Sequence, residues 1–278
     1  MVSVLGLPWY IRLACAIFRA GKVPRHVALI MDGNRRYARD IGVDLRSGHT
    51  AGFVKLEQVL EWCLELGVEA VTVFAFSIDN FRRPPAEVDA LMVLAREKFA
   101  YFQTRDSVVH RHGIRLQLVG DLDLLPRDVR EEMQRAVSLT LGRTGPLLNV
   151  CFAYTAQYEL LHAARTLAAA VRAGELDPED IDEEALSRAM PTNRAPDGTQ
   201  VPPVDLLIRT SGEQRLSNFL LWQVSGGARL AFISALWPSL SAWSFFSVLV
   251  RYQLSVQLRA AQRSVPRAPP RDLAAAAR

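Results

Sequence analysis

The chain has 278 residues, 50% of them hydrophobic, and a net charge of +4 from 33 lysines and arginines against 29 aspartates and glutamates. This composition suits one globular domain of generous size, or at most two. The slight basic excess does not call for nucleic acid and fits an anionic substrate or a membrane surface equally well. Three scattered cysteines without CxxC spacing argue against a disulfide framework or structural metal and favour a reducing compartment; they are Cys15, Cys63 and Cys151.

The first twenty residues are largely apolar, but Arg12 and Arg19 interrupt them and Pro8 breaks the run early. The remaining stretch is shorter than the ~20 residues that a membrane-spanning helix needs. It also lacks the basic leader of a cleaved signal peptide. Two interpretations of residues 1–21 stay open: an amphipathic helix that lies on a membrane surface, and a terminal helix that packs on the domain.

Short apolar runs then alternate with longer amphipathic ones across residues 22–260. The predicted strands are Val27–Met31, Ala70–Phe76, Arg115–Val119, Leu147–Ala153, Asp205–Ile208 and Leu230–Ile233. The predicted helices are Gly48–Leu66, Ala86–Arg105, Arg127–Leu141, Gln157–Ala173 and Ser241–Ala260. Nearly continuous apolar strands are typical of parallel strands covered on both faces. The alternation predicts a single α/β domain with a central, mostly parallel sheet flanked by helices, whose binding site lies at the carboxyl ends of the strands.

Three segments between or beside these elements need interpretation. The helix Ala86–Arg105 carries an apolar stripe that fits either an ordinary core face or the wall of a channel for a long apolar ligand. Pro191–Val204 is rich in proline and without periodicity, which predicts a mobile loop. Residues 261–278 are predicted to form a flexible tail, because Arg263–Arg278 has the composition of a segment with little structure.

The first motif, HVALIMDGNRRYA at residues 26–38, is an apolar strand that delivers Asp32 to a turn at Gly33. Arg35 and Arg36 follow at once, at the start of a predicted helix. A surface ion pair at a helix start is the ordinary alternative. Two adjacent arginines at a strand–helix junction repel each other unless they share an anion, and the positive end of a helix adds to that attraction. The motif therefore predicts an anion site with a carboxylate able to hold a metal ion.

A second strand end repeats this plan in DLLIRTSGEQRLSNFLLWQ at residues 205–223, with Arg209, Arg215 and Ser217 after the apolar run. A cation that directly follows a buried strand is partly desolvated and costly unless paired. Unit charges ~4 Å apart attract by about 4 kcal/mol at an effective dielectric of ~20, so a shared diphosphate offsets the cost of clustering arginines. A third strand end, VTVFAFSIDNFRRP at residues 71–84, contributes Asn80 and Arg83.

Together with LNVCFAY at residues 148–154, these motifs resemble the cis-prenyltransferases, the family of undecaprenyl and dehydrodolichyl diphosphate synthases. The resemblance runs from Lys22 to about Gln257. Arg35 and Tyr37 are similar to the eukaryotic members, whereas bacterial members usually carry glycine and tryptophan there. The resemblance implies the cis-prenyltransferase fold with an apolar product channel, for which the helix Ala86–Arg105 is the natural wall.

The resemblance also implies a role for each motif residue. Asp32 would bind Mg2+ and act as a catalytic residue together with Asn80, which would lie near the reacting carbons. The allylic substrate, farnesyl diphosphate at the start, would be held by Gly33, Arg35, Arg36 and Arg83. Isopentenyl diphosphate would be held by Arg209, Arg215 and Ser217. The implied activity is cis condensation of isopentenyl units into long-chain polyprenyl (dehydrodolichyl) diphosphate, the precursor of the dolichol glycosyl carrier lipid.

Two departures bear on partners. Val224–Leu230 contains no acid, although bacterial members carry a metal-binding glutamate shortly after this run. Eukaryotic catalytic subunits also lack it and work with a Nogo-B receptor-type subunit, whose C-terminal Arg-x-Gly segment is expected at the isopentenyl site. The resemblance thus implies a heteromer with such a subunit on the cytosolic face of the endoplasmic reticulum membrane, as a peripheral protein and without nucleic acid.

Two other functions compete with this interpretation. The first is a family member that only scaffolds an active partner, although partner subunits lack the Asp-Gly-Asn-Arg run that this chain retains. A nucleotide phosphotransferase fits the same architecture, but the sequence has neither a GxxxxGK[ST] loop nor a GxGxxG fingerprint.

Overall fold

The computed structural model describes residues 6–264, and side chains as far as residue 259. Its centre is a sheet of six parallel strands in the order β3-β4-β2-β1-β5-β6. The strands are β1 (His26–Ile30), β2 (Ala70–Ser77), β3 (Arg115–Val119), β4 (Leu147–Tyr154), β5 (Leu206–Arg209) and β6 (Arg229–Phe232). The prediction of one α/β domain with a parallel central sheet is confirmed, and each predicted strand is present within one residue at either end.

Ten α-helices lie within the described residues: α1 (Trp9–Arg19), α2 (Asn34–Asp40), α3 (Leu45–Leu66), α4 (Pro85–Phe102), α5 (Val108–Arg111), α6 (Arg127–Ser138), α7 (Ala156–Arg172), α8 (Glu183–Ala189), α9 (Leu221–Ser225) and α10 (Ala242–Ser264). All five predicted helices are present with ends that differ by four residues or fewer. The short helices α5, α8 and α9 were not predicted. None of the helices in this part of the chain combines the length and apolar character needed to cross a membrane.

Helices cover both faces of the sheet, so the strands are apolar on both. In β1 the side chains alternate between two cores: Val27 and Leu29 join the larger cluster with α3, α4, α6 and α10, whereas Ala28 and Ile30 face a smaller cluster that includes Tyr154 and Phe219. All these side chains are 5% exposed or less. This two-sided burial explains why the strand sequences read as continuous apolar runs.

Helix α1 packs against the domain through one face only. Ile11 and Cys15 are buried against the core, and Phe18 stacks on Phe246 of α10 with ring centroids 5.3 Å apart. The opposite face is open, because Trp9 is 75% and Ile17 is 66% exposed. One of the two interpretations of this segment, packing on the domain, is therefore observed, and the membrane role stays a prediction.

The segment Pro191–Val204 makes hydrogen bonds to the rest of the domain at its start and near its end, which differs from the mobile loop expected. Thr192 binds the carboxylate of Glu159: its backbone N–H donates to Oε1 at 2.9 Å and its hydroxyl donates to the same oxygen at 2.7 Å. The Gln117 side chain donates to the Pro191 carbonyl at 2.9 Å. Because these partners lie on α7 and β3, local composition gave no sign of them. The predicted tail of residues 261–278 begins inside α10, and the part beyond Ser264 lies outside the described residues.

Candidate active site

Asp32 and Arg209 meet at the carboxyl edge of the sheet. β1 and β5 are adjacent, and the register pairs their last residues, Ile30 and Arg209. Asp32 follows two residues after Ile30, and its Oδ2 accepts a hydrogen bond from Arg209 Nη2 at 2.8 Å. The two motifs predicted to bind separate diphosphates therefore lie side by side, on the same end of one sheet, as carbon–carbon bond formation between their ligands requires.

The environment of Asp32 keeps its carboxyl ionised. Partial burial opposes ionisation, but the hydrogen bond from Arg209 and the charges of Arg209 and Arg36 outweigh that effect, so the pKa of Asp32 lies below its ordinary value of 3.8. Arg36 Nη2 lies 3.7 Å from Asp32 Oδ1. The carboxylate side chain remains 31% exposed, so it is accessible from the cavity as well as charged.

Gly33 is required by the tight turn between β1 and α2. Its φ of +113° is unfavourable for residues with a side chain, and an added Cβ would lie 3.0 Å from the Leu236 backbone. The turn is also held by Trp237, whose backbone N–H donates to the Asp32 carbonyl at 3.0 Å. The helix that was predicted to begin near Asn34 does begin there, and it carries Arg35 and Arg36 in its first turn.

Arg35 and Arg83 share one buried acid. Arg83 Nη1 lies 3.1 Å and Arg35 Nη1 3.7 Å from Glu87 Oε1, and the Glu87 side chain is only 10% exposed. His49 lies beside this group, and burial, then the nearby charge of Arg83, lower the pKa of its imidazole, with Glu87 opposing. Sequence analysis missed Glu87 and His49. Glu87 stands at i+4 from Arg83, a spacing that could have suggested the pair.

The second arginine cluster is only partly inside the site. The buried Arg209 donates from Nη1 to Ser217 Oγ at 2.8 Å and to the Arg215 carbonyl. Arg215 thus contributes its backbone carbonyl to this cluster, whereas its guanidinium is 64% exposed and pairs with Glu213. Ser217 and Arg209 line the cavity; the Arg215 side chain is not among the residues that do. Its predicted contact with isopentenyl diphosphate stays a prediction.

Asn80 lies at the end of β2, in a short 3-10 helix, Ile78–Arg82. Its Oδ1 accepts a hydrogen bond from the Ser77 N–H at 3.1 Å, and Ser77 Oγ accepts one from the Asp79 N–H at 3.2 Å. This reciprocal capping fixes the turn that presents Ser77, Asp79 and Asn80 to the cavity. The role of Asn80 near the reacting carbons remains a prediction.

One cavity of about 1030 Å3 joins these groups, except Arg215 and Glu87, to an apolar interior. Its polar mouth contains Asp32, Arg36, Arg83 and Arg209. Its interior is lined by α3, β2, β4 and α4, the last contributing Leu91, Leu94, Ala95, Phe99 and Phe102. The helix predicted as a possible channel wall therefore does line the cavity, although Met92 of the same stripe packs in the core.

The side chains at the mouth fit Mg2+ only when a phosphorylated ligand completes its coordination. Within residues 6–259, no three His, Cys, Asp or Glu side chains are grouped so that they could hold a metal ion. Asp32 and Asp79 are the carboxylates among the cavity residues. Mg2+ is characteristically bound by one or two carboxylates together with substrate phosphates and water, and it does not need an all-protein cage.

Comparisons with known proteins agree with this geometry. Residues 30–259 match the family model described as "Putative undecaprenyl diphosphate synthase". The chain is 46% identical over 244 residues to the human "Dehydrodolichyl diphosphate synthase complex subunit DHDDS", covering 88% of this chain and 71% of that protein. It is 41% identical over 231 residues to the "Tritrans,polycis-undecaprenyl-diphosphate synthase (geranylgeranyl-diphosphate specific)" of Methanocaldococcus jannaschii, covering 83% and 80%.

Two solved structures are similar in fold. Lavandulyl diphosphate synthase from Lavandula x intermedia, crystallised with dimethylallyl diphosphate, superposes with a TM-score of 0.73 at 32% identity, covering 83% of this chain and 95% of that one. A "probable undecaprenyl diphosphate synthase" from Campylobacter jejuni gives a TM-score of 0.65 at 27% identity with the same coverage. Since the family model matches most of the chain and a relative is 46% identical over most of its length, the chain belongs to the cis-prenyltransferase family.

Proposed function

We propose that the chain condenses isopentenyl diphosphate in cis onto an allylic diphosphate, farnesyl diphosphate at the start, and repeats the step to make a long-chain polyprenyl diphosphate of the dehydrodolichyl type. The observation that carries this proposal is a cavity whose cationic mouth contains residues of both predicted anion-binding clusters and whose interior is apolar. Such a cavity suits a ligand with a diphosphate head and a hydrocarbon tail.

In this reaction the allylic carbon–oxygen bond breaks and diphosphate leaves. The isopentenyl double bond supplies the electrons for the new carbon–carbon bond, and a proton is then lost to restore a double bond. Arg36, Arg35 and Arg83 hold the departing diphosphate, and their charge favours the transition state because negative charge on the leaving group grows as the bond breaks. Arg209 and Ser217 orient isopentenyl diphosphate beside it.

Asp32 is the residue that would hold Mg2+ together with the substrate diphosphates. When bound, the metal ion supplies further positive charge for the leaving group. Asp32 is suited to this because Arg209 and Arg36 keep it ionised, and because Arg209 fixes one carboxylate oxygen while the side chain remains open to the cavity.

The decisive experiment compares two aspartates near each other in sequence. We expect the unsubstituted chain, with its partner subunit, farnesyl diphosphate, radiolabelled isopentenyl diphosphate and Mg2+, to form labelled lipid. Asp32→Asn keeps the side-chain shape and should abolish incorporation, whereas Asp40→Asn, on the exposed end of α2, should retain it. Absence of incorporation by the unsubstituted chain in every pairing would instead favour a scaffold without catalysis.

We also propose that a Nogo-B receptor-type subunit binds beside β6. β6 is a terminal strand of the sheet, and α10 packs next to it through a hydrogen bond from Arg229 to the Ser255 carbonyl at 3.1 Å. Leu230 on this strand is 45% exposed, and Leu254 and Leu258 on α10 are 54% and 64% exposed. An apolar surface next to a terminal strand is suited to a protein partner.

The heteromer can be tested by co-purification and size-exclusion chromatography. Leu254→Asp with Leu258→Asp should separate the two subunits, because two charges would be desolvated at the interface. Leu161→Asp places a charge on α7, at another exposed leucine, and should leave the complex intact. Co-elution of the double variant at wild-type stoichiometry would contradict this location for the interface.

Finally, we propose that α1 attaches the complex to the cytosolic face of the endoplasmic reticulum as a peripheral protein. The open face of α1 combines exposed Trp9, Tyr10, Leu13 and Ile17, a composition suited to the interfacial region of a bilayer. Trp9→Ala with Ile17→Ser should reduce flotation with phosphatidylserine-containing vesicles and the co-localisation of tagged protein with an endoplasmic reticulum marker. Leu139→Ser with Leu141→Ser, at exposed leucines elsewhere, should change neither.

A further inference from the structure

The segment that carries Ser217 has an unusual backbone conformation. Ser217, Asn218 and Leu220 have φ angles of +49°, +59° and +48°, in the left-handed region that side chains disfavour. Such conformations are strained and persist only where surrounding contacts enforce them. The contacts that enforce this one therefore determine where Ser217 lies.

Asn218 supplies most of the polar contacts that hold the segment. Its carbonyl accepts a hydrogen bond from the Ala156 N–H at 2.7 Å, and its side-chain Oδ1 accepts one from the Gln157 N–H at 3.2 Å. These are the first two N–H groups of α7. The next N–H group, of Tyr158, donates to the Thr155 hydroxyl, and the Glu159 N–H makes the first bond within the helix, to the Thr155 carbonyl. Three of the N–H groups that a helix start leaves without an intrahelical partner are thus occupied, two of them by Asn218.

The neighbouring residue secures the same segment from the other side. Phe219 is fully buried, and its ring stacks on Phe74 of β2 with centroids 4.7 Å apart. The segment is therefore fixed between α7 and the sheet. Asparagine also enters the left-handed region more readily than most residues with a side chain, so both its backbone and its carboxamide suit this position.

The position that these contacts give to the segment affects the cavity through Ser217. Its Oγ accepts a hydrogen bond from Arg209 Nη1 at 2.8 Å, while Arg209 Nη2 binds Asp32. Displacement of Ser217 would remove one of the two hydrogen bonds that hold Nη1, the other being to the Arg215 carbonyl, and leave Nη2 on Asp32. We propose that Asn218 is a positioning residue for the isopentenyl diphosphate site, which holds Ser217 against Arg209 by capping α7. This proposal rests on the proposed function of the cavity.

Three variants separate positioning from general stability. Asn218→Gly keeps the left-handed backbone but loses the side-chain cap, and Asn218→Ala loses the cap and adds backbone strain. Thr155→Ala removes the other side-chain cap of the same helix, the bond to the Tyr158 N–H at 3.2 Å, without touching the Ser217 segment. All three are measured as the complex with the partner subunit, and their melting temperatures report the loss of helix stability.

We expect Asn218→Gly to raise KM for isopentenyl diphosphate about fivefold and Asn218→Ala to raise it further, with KM for farnesyl diphosphate changed less than twofold. Thr155→Ala should lower the melting temperature by a similar amount and leave both KM values unchanged. The proposal is overturned if Thr155→Ala reproduces the KM effect, or if both substrates are affected equally, or if neither Asn218 variant changes KM.

A binding measurement keeps this inference separate from the activity. Isopentenyl diphosphate is titrated into the unsubstituted chain and the variants without allylic substrate, with intrinsic tryptophan fluorescence as the readout. If only the Asn218 variants bind isopentenyl diphosphate more weakly, Asn218 positions the binding site. This conclusion holds even if no product forms, in which case the proposed reaction is wrong but the binding role of Asn218 is supported. Equal binding by all variants contradicts positioning whatever the activity.

Discussion

Acidification below pH 6.5 should destabilise this protein through His26, at the start of β1. The imidazole is 2% exposed, and its burial lowers its pKa from 6.5 to about 4, although the Pro202 carbonyl and Asp205 oppose the shift. Nδ1 lies 2.7 Å from the Pro202 carbonyl and must donate to it, so in the neutral ring Nε2 accepts from the Thr72 hydroxyl, also at 2.7 Å. Protonation of Nε2 would turn this acceptor into a donor, so the Thr72 hydroxyl could no longer donate to it.

The sign and size of the effect follow from proton binding. Between pH 6.5 and 4 the unfolded chain binds a proton at His26 that the folded chain does not, so stability is present above pH 6.5 and is lost as pH falls toward 4. The full effect is about 3 kcal/mol, and about 2 kcal/mol of it should be lost between pH 8 and pH 5. That is a large share of the 5–15 kcal/mol typical of a folded protein.

Urea unfolding at fixed pH values measures this directly. The pKa values of His49 and His112 are also lowered, chiefly by burial, so variants must be compared with the parent. His26→Asn retains a donor for the Pro202 carbonyl but cannot titrate; it should be less stable at pH 8 yet lose about 2 kcal/mol less between pH 8 and pH 5. His110→Asn, at an exposed histidine, should follow the parent. Parallel pH profiles for His26→Asn and the parent would refute the reasoning.

Three further outcomes are expected. Arg209→Ala should raise KM for isopentenyl diphosphate more than Arg215→Ala does, because Arg209 is buried in the site and the Arg215 guanidinium is exposed; equal effects in steady-state kinetics would contradict this. Arg36→Ala should instead raise KM for the allylic substrate and lower kcat. If it raised only KM for isopentenyl diphosphate, the assignment of the two substrates to the two sites would be reversed. Burial of the product tail in the cavity contributes ~0.8 kcal/mol per CH2, so product release should limit turnover. Lipid vesicles that accept the product should therefore raise the steady-state rate, and an unchanged rate would contradict this prediction.

Most of the fold was predictable because the inner strands β1, β4 and β5 are buried on both faces along their whole length. Val27, Leu29 and their neighbours therefore form continuous apolar runs that mark the strands without an alternating pattern. The short helices α5, α8 and α9 contain four, seven and five residues and give too few turns for an apolar period to emerge. The Pro191–Val204 segment was misinterpreted because its anchors, Glu159 and Gln117, lie far from it in sequence.

The candidate site divides in the same way. Asp32 follows β1 and Arg209 ends β5, and parallel strands end at the same edge of a sheet, so a shared edge was predictable. That β1 and β5 are neighbours, which brings the two side chains into contact, is seen only in the sheet order. Glu87 stands four residues after Arg83, a local spacing that was overlooked, whereas His49 lies on α3 and only the packing of the helices places it beside Arg83. The Arg215 side chain pairs with Glu213 outside the cavity, and the motif pattern, which places Arg215 beside Arg209 and Ser217, gave no sign of that direction.

Arg209 links the two predicted diphosphate sites, which the sequence motifs treat as separate. It is 4% exposed, and its guanidinium donates to Asp32 on one side and to Ser217 on the other. A buried cation needs such partners, because an unpaired charge in this environment is costly. The same contact lowers the pKa of Asp32, so it keeps ionised the carboxylate predicted to hold Mg2+. In the proposed mechanism one side chain therefore orients isopentenyl diphosphate and keeps ionised the carboxylate that would hold Mg2+, so the two proposed sites form a single electrostatic unit.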